Sequence, residues 1–128
     1  MYGLDNNPPV TPLSPDGPSS ITTDDTCTFE ADTTDPNNDQ ISYMFDWGDG
    51  TNTGWKGPFN SGQSTSESHI WTAQGTFSIK VKTKDSNDAE GVWSDPLPVS
   101  MPKTKSMAYL FEFLARFPRL SELFNGYF

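Results

Sequence analysis

The sequence predicts an all-β fold, a sandwich of two antiparallel sheets. Three features of the chain say so. Apolar and polar residues alternate in short runs, as they do in strands with one buried and one wet face. Clusters of Gly, Pro, Asn and Asp separate these runs at the spacing of turns. Apolar residues make up only 33% of the chain, yet aromatics reach 13%, with 11 Pro and 10 Gly in 128 residues. That balance fits a small core built on large rings better than a disordered chain, which would be poor in aromatics. The length suits one domain with an appendage.

The elements follow in order. Residues 1–8 form a polar lead-in, and residues 9–102 form the sandwich. The Pro-rich run that places Val10 and Leu13 in extended backbone suits only an edge strand or irregular chain, because proline has no N–H to give a ladder. In "TCTFEAD", Cys27, Phe29 and Ala31 share one face, with Thr28 and Glu30 on the other. "TTDPNNDQ" is a loop. In the next strand Ile41, Tyr43, Phe45 and Trp47 share a face, and "GDG" ends it, since Gly48 and Gly50 permit positive φ on either side of Asp49. "GWKGPFNSG" reads as a polar loop and "SESHIWT" as a strand. In "TFSIKVKTKD", Phe77, Ile79, Val81 and Thr83 point in, while Ser78, Lys80, Lys82 and Lys84 point out. "VWSDPLPVSM" closes the sheet as an edge strand, blunted by Pro96 and Pro98. The expected total is seven antiparallel strands.

After Pro102 the period changes to that of a helix. Residues 103–128 predict a short amphipathic helical extension, with Ser106 as cap and Met107, Leu110, Phe111 and Leu114 on one stripe. Pro118 breaks this helix or opens a second, which carries Leu120, Leu123 and Phe124. Such an apolar face, Leu110, Phe111, Leu114 and Phe117 included, needs cover. Docking on its own sandwich, on another protein domain or on a second copy all supply it. A membrane surface is the weakest of the choices, with only Arg116 and Arg119 basic within the helix.

Charge narrows the function. Net charge is −9, and residues 1–102 hold fifteen acids against four lysines. An acidic body repels phosphate, which argues against nucleic acid, and is compatible with divalent cations. The single cysteine, Cys27, precludes an intrachain disulfide, and no Cys/His zinc spacing exists. No run is apolar for the roughly 18 residues of a membrane span. The first residues lack the basic and apolar regions of a signal peptide.

Taken together, "FDWGDGT", "SHIWTAQGTFSIKVKTKD" and "VWSDPLPVSM" resemble a PKD (polycystic kidney disease) repeat domain. The marks are Gly48, Asp49, Gly50, His69, Trp71, Gly75, Phe77 and Asp85, within a pattern spanning roughly residues 10–101. The resemblance implies an immunoglobulin-like sandwich and a non-catalytic module, extracellular or at the cell surface, serving as spacer, adhesion unit or accessory to a secreted enzyme.

Each candidate site has a plainer alternative. Asp46 and Asp49 have the residue types of a glycosidase acid–base pair, but one lies on a wet strand face and the other between turn glycines, where Asp caps backbone amides. Asp35, Asn37 and Asp39 are candidate calcium ligands, since alternate oxygens in a loop can converge on one hard cation. Asp85, Asn87 and Asp88 form a second acidic turn. Neither has the glycine or glutamate of an EF-hand, and metal-free turns use the same residues. No motif requires a cofactor, and Ca2+ is the one candidate ion. His69 has no nucleophile elbow to serve and reads as a half-buried ring beside Trp71. Cys27 reads as a small buried apolar residue. Trp55 and Phe59 form a loop ring pair that could stack on polysaccharide, or fold down over the sandwich end.

Overall fold

The structure is a computed structural model that describes residues 6–102. It contains six strands: β1 (Thr26–Ala31), β2 (Ile41–Asp46), β3 (Lys56–Phe59), β4 (Thr65–Ile70), β5 (Gly75–Asp85) and β6 (Leu97–Met101). Strands β1 and β4 form one sheet, and β3-β2-β5-β6 form the other, with every pair of strands antiparallel. The expected helix over 103–128, with Leu110, Phe111, Leu114 and Phe117, lies outside the described residues.

The expected alternation sets the core. Phe29 and Ala31 from β1, Ile41, Tyr43 and Phe45 from β2, Ile79 and Val81 from β5, and Val99 and Met101 from β6 are all buried. Trp47 and Trp71 follow β2 and β4 directly and join them, with Cys27, Phe59, Phe77 and Leu97 packed around the rim. Fully burying one such side chain contributes roughly 1.5–3 kcal/mol, so a few rings compensate for a lean composition.

Among the described residues the strand count is six rather than seven, and three details differ from the sequence reading. The Pro-rich run is not a strand. Pro8, Pro9, Pro12, Pro15 and Pro18 leave too few N–H groups for a ladder. The run instead makes isolated contacts with both sheets. Asp16 exchanges two backbone hydrogen bonds with Glu30 of β1, and Ser19 and Ile21 flank Ser100 of β6. Conversely, part of the run read as a loop is β3, paired with β2 at Ile41↔Phe59 and Tyr43↔Lys56 across an irregular register. Its Gly57 and Pro58 conceal a strand pattern but suit an edge. The final strand begins only at Leu97, so Trp93 stands in the loop ahead of it. Pro98 lies on this edge strand, as its position predicts.

The turn after Trp47 depends on two glycines for different reasons. Gly48 has φ +78°, and a Cβ there would meet the Ser78 backbone oxygen at 2.6 Å. Gly50 has φ +93° with nothing within 4 Å of a Cβ. Gly50→Ala is expected to cost about 1–2 kcal/mol, the left-handed backbone term alone. Gly48→Ala adds a clash with backbone that cannot swing away and is expected to cost clearly more, about 3 kcal/mol or above. Urea denaturation of the two variants checks the order; equal losses would contradict the close approach.

Candidate functional site

The turn "GDG" is resolved by its hydrogen bonds. Asp46 Oδ1 accepts from the Gly48 amide at 2.9 Å. Asp49 Oδ1 accepts from the Thr51 amide at 3.0 Å and from the Thr51 hydroxyl. Asp49 Oδ2 lies 2.8 Å from His69 Nε2. Both acids therefore act on local backbone, and Asp49 also clasps the end of β4. The His69 ring stacks on Trp47, with centroids 4.8 Å apart at 6°, and meets Trp71 edge-on at 4.6 Å. Partial burial pushes the Asp49 carboxyl up, but the bonds from Thr51 and His69 outweigh it and leave it below its usual range. Burial, and then the charge of Asp25, push the Cys27 thiol up, away from the reactive thiolate.

A second cluster lies at one end of the sandwich. Asp39 precedes β2, and Asp85 ends β5. The antiparallel register, with Ile41 opposite Asp85, brings the two acidic turns side by side. Carboxylate oxygens of Asp35, Asp39 and Asp85 lie within 4.8 Å of one another. Asp35 and Asp85 are buried, at 6% and 2% exposure. Each also organises its own turn. Asp35 Oδ2 accepts from the Asn37 and Asp39 amides at 2.8 and 3.1 Å. Asp85 Oδ1 accepts from the Asn87 and Ala89 amides, both at 2.9 Å. The lead-in straps the cluster: Asn6 Nδ2 donates to Asp85 Oδ2 at 2.8 Å, and the Asn7 amide donates to Asn37 Oδ1 at 3.0 Å.

Asp35 Oδ1 is buried and has no hydrogen-bond partner. A carboxylate oxygen in that state costs free energy unless something positive meets it. An all-oxygen donor set of this kind suits a hard divalent cation, Ca2+ before the softer metals. The residues therefore fit the ion, with Asp35, Asp39 and Asp85 as the ligands that would hold it. Sequence spacing indicated Asp35 and Asp39 and also suggested Asn37, whose side chain instead receives Asn7. Asp85 was legible only as a neighbouring turn, because the β2–β5 pairing unites the two. Asp88 is exposed and pairs with Lys84 at 3.1 Å.

Trp55 and Phe59 do not share a surface. The Phe59 ring packs inward, 6.0 Å from Tyr43, while Trp55 lies outward beside Lys82 and Lys84.

Residues 6–99 match the family model of the PKD domain. The chain belongs to the PKD-domain family. A solved structure, the PKD domain of an M14-like peptidase from a Thermoplasmatales archaeon, is similar over 77% of this chain and 100% of that one, at 39% identity and a TM-score of 0.73. No curated protein matches. The two-sheet, immunoglobulin-like arrangement is thus that of a PKD domain, and the expected marks take structural places within it. Gly48 and Gly50 shape the turn, Asp49 and His69 clasp it, Trp71 fills the core and Asp85 closes β5. PKD domains are in general non-catalytic modules, and they occur in extracellular proteins. Among the described residues no helix is long and apolar enough to cross a membrane.

The depressed Asp49 carboxyl makes a pH prediction. Its contribution is present above the ordinary carboxylate value near 4 and is lost as pH falls through the lower folded value. Wild-type protein should therefore exceed Asp49→Asn in stability at about pH 5 to 6, with the difference closing towards about pH 2. Urea midpoints of both proteins across that range test it; a gap independent of pH would contradict the clasp.

Proposed function

We propose that this PKD domain is a non-catalytic, extracellular structural or adhesive module of a secreted or cell-surface protein, whose Asp35/Asp39/Asp85 end is locked by a calcium ion. The observation that carries the reading is the unpartnered, buried Asp35 Oδ1 beside two further carboxylates. A cation there joins three parts of the chain, namely the loop before β2, the end of β5 and the strapped lead-in. It stiffens the end at which the chain enters the domain, which suits a spacer that holds its neighbours at a set distance. Its partners are neighbouring protein domains. The likeness to a peptidase's PKD domain favours a second form of the same reading, an accessory module beside a secreted hydrolase.

Thermal melts in calcium and in chelator test the lock, with sodium chloride added to equal ionic strength. For a site of the affinity usual in extracellular modules, about 5 mM calcium should raise the Tm by about 5–10 °C. Asp35→Asn and Asp85→Asn preserve the shape of the turns and should lose that response. An identical Tm in calcium and chelator sinks the reading, as does a rise that sodium chloride matches.

A further inference from the structure

The outward face of β5 concentrates charge of one sign on a body of the other. Three of the four lysines in residues 6–102, Lys80, Lys82 and Lys84, occupy alternate positions along it. Alternation on a strand spaces them about 6.7 Å apart in a straight row. Two tryptophans flank the row. Lys80 Nζ and Lys82 Nζ lie 5.0 and 4.8 Å from the Trp93 ring centroid. Lys82 Nζ and Lys84 Nζ lie 5.7 and 4.8 Å from that of Trp55. Both tryptophans are half-buried, and β2 completes the face with Ser42, Met44 and Asp46, opposite Lys84, Lys82 and Lys80; the Asp46 carboxylate is turned to the Gly48 amide.

The row is only partly neutralised. Lys82 pairs with Glu90 at 2.7 Å and Lys84 with Asp88 at 3.1 Å. Those acids are 48% and 80% exposed, and surface pairs of this kind are weak and exchange readily. Among the described residues no carboxylate lies within ion-pair distance of Lys80.

We propose that this face binds an anionic polysaccharide, with acidic sugar rings running along β5. Ammonium groups pair with carboxylates, while tryptophan rings cover the apolar C–H faces of pyranose rings. A linear row of cations suits a linear polymer better than a single small anion. The rings add what an acidic peptide would not use. Lys82, which touches both rings, positions them as well as contributing charge. Its lysines alternate with Thr83 and Asp85 along β5, and so lie on the opposite side of the strand from the Asp85 carboxylate.

Affinity electrophoresis with three dissolved polymers tests the proposal. Carboxymethylcellulose offers rings and charge, hydroxyethylcellulose rings alone, and polyglutamate charge alone. Strong retardation by the first only is expected, fading as salt is raised. Trp55→Ala and Trp93→Ala should each weaken it about tenfold, the effect of losing an anchoring aromatic. Lys80→Gln with Lys84→Gln should abolish it, and Lys80→Arg should retain it. The lysine variants lie on the wet face, so they decide the matter even if a tryptophan variant fails to fold. No retardation by carboxymethylcellulose overturns the proposal. So does equal retardation by polyglutamate, which would mark an acidic protein partner, or by hydroxyethylcellulose. Folded tryptophan variants that bind normally overturn it too.

Discussion

The fold is pinned at the Trp71 indole. Trp71 follows β4 in one sheet, and its Nε1 donates to the carbonyl of Trp47, which follows β2 in the other, at 3.2 Å. Around that bond the rings pack edge-on: Trp71 meets Trp47 at 5.7 Å and 88°, and Phe29 at 5.9 Å and 83°. A buried N–H left without a partner would be costly, so the hydrogen bond fixes how the two sheets align while the rings exclude water. Phe29 reaches into the same cluster from β1. With a two-stranded sheet on one side there is little redundancy. The large rings carry contacts that more numerous aliphatic side chains would otherwise share.

The two polar clusters beside this core differ in kind. The Asp49–His69 clasp is complete in itself, because each oxygen of Asp49 has a donor and His69 packs face-on against Trp47 and edge-on against Trp71. It reads as architecture. The Asp35 cluster holds three acids close together and leaves one buried oxygen without a donor. Backbone amides and the side chains of Asn6 and Asn87 account for its other contacts, so Asp35 Oδ1 is what remains open to a positive group. That difference separates a satisfied aspartate from one still open to a cation more firmly than residue type does, since both clusters are Asx-rich turns.

Charge is also sorted in space. Three acids meet where β2 begins and β5 ends, and three lysines line one outer sheet face. Protection of the edges follows the same economy. Proline sits on both edge strands of the larger sheet, β3 and β6, and the proline-rich run before β1 passes first beside β1 and then beside β6. One irregular segment thus covers an edge of each sheet without being a strand of either.

Local alternation was enough to identify which residues of β1, β2 and β5 face inward, because a period of two fixes the side of the sheet whatever the partner strand. It also marked Gly48 and Gly50, since few other residues tolerate that backbone. Strand β3 was not legible, because pairing with β2 makes Lys56–Phe59 a strand despite glycine and proline. Nor was the separation of Trp55 from Phe59, which follows from that same pairing. The sequence by itself determined the two-sheet class, the aromatic core and the turn chemistry, all consequences of near neighbours along the chain. Tertiary structure alone decided that the turns at Asp35 and Asp85 form one site, and that Trp55 and Trp93 meet one row of lysines. Those residues lie far apart in sequence, and only strand register brings them together.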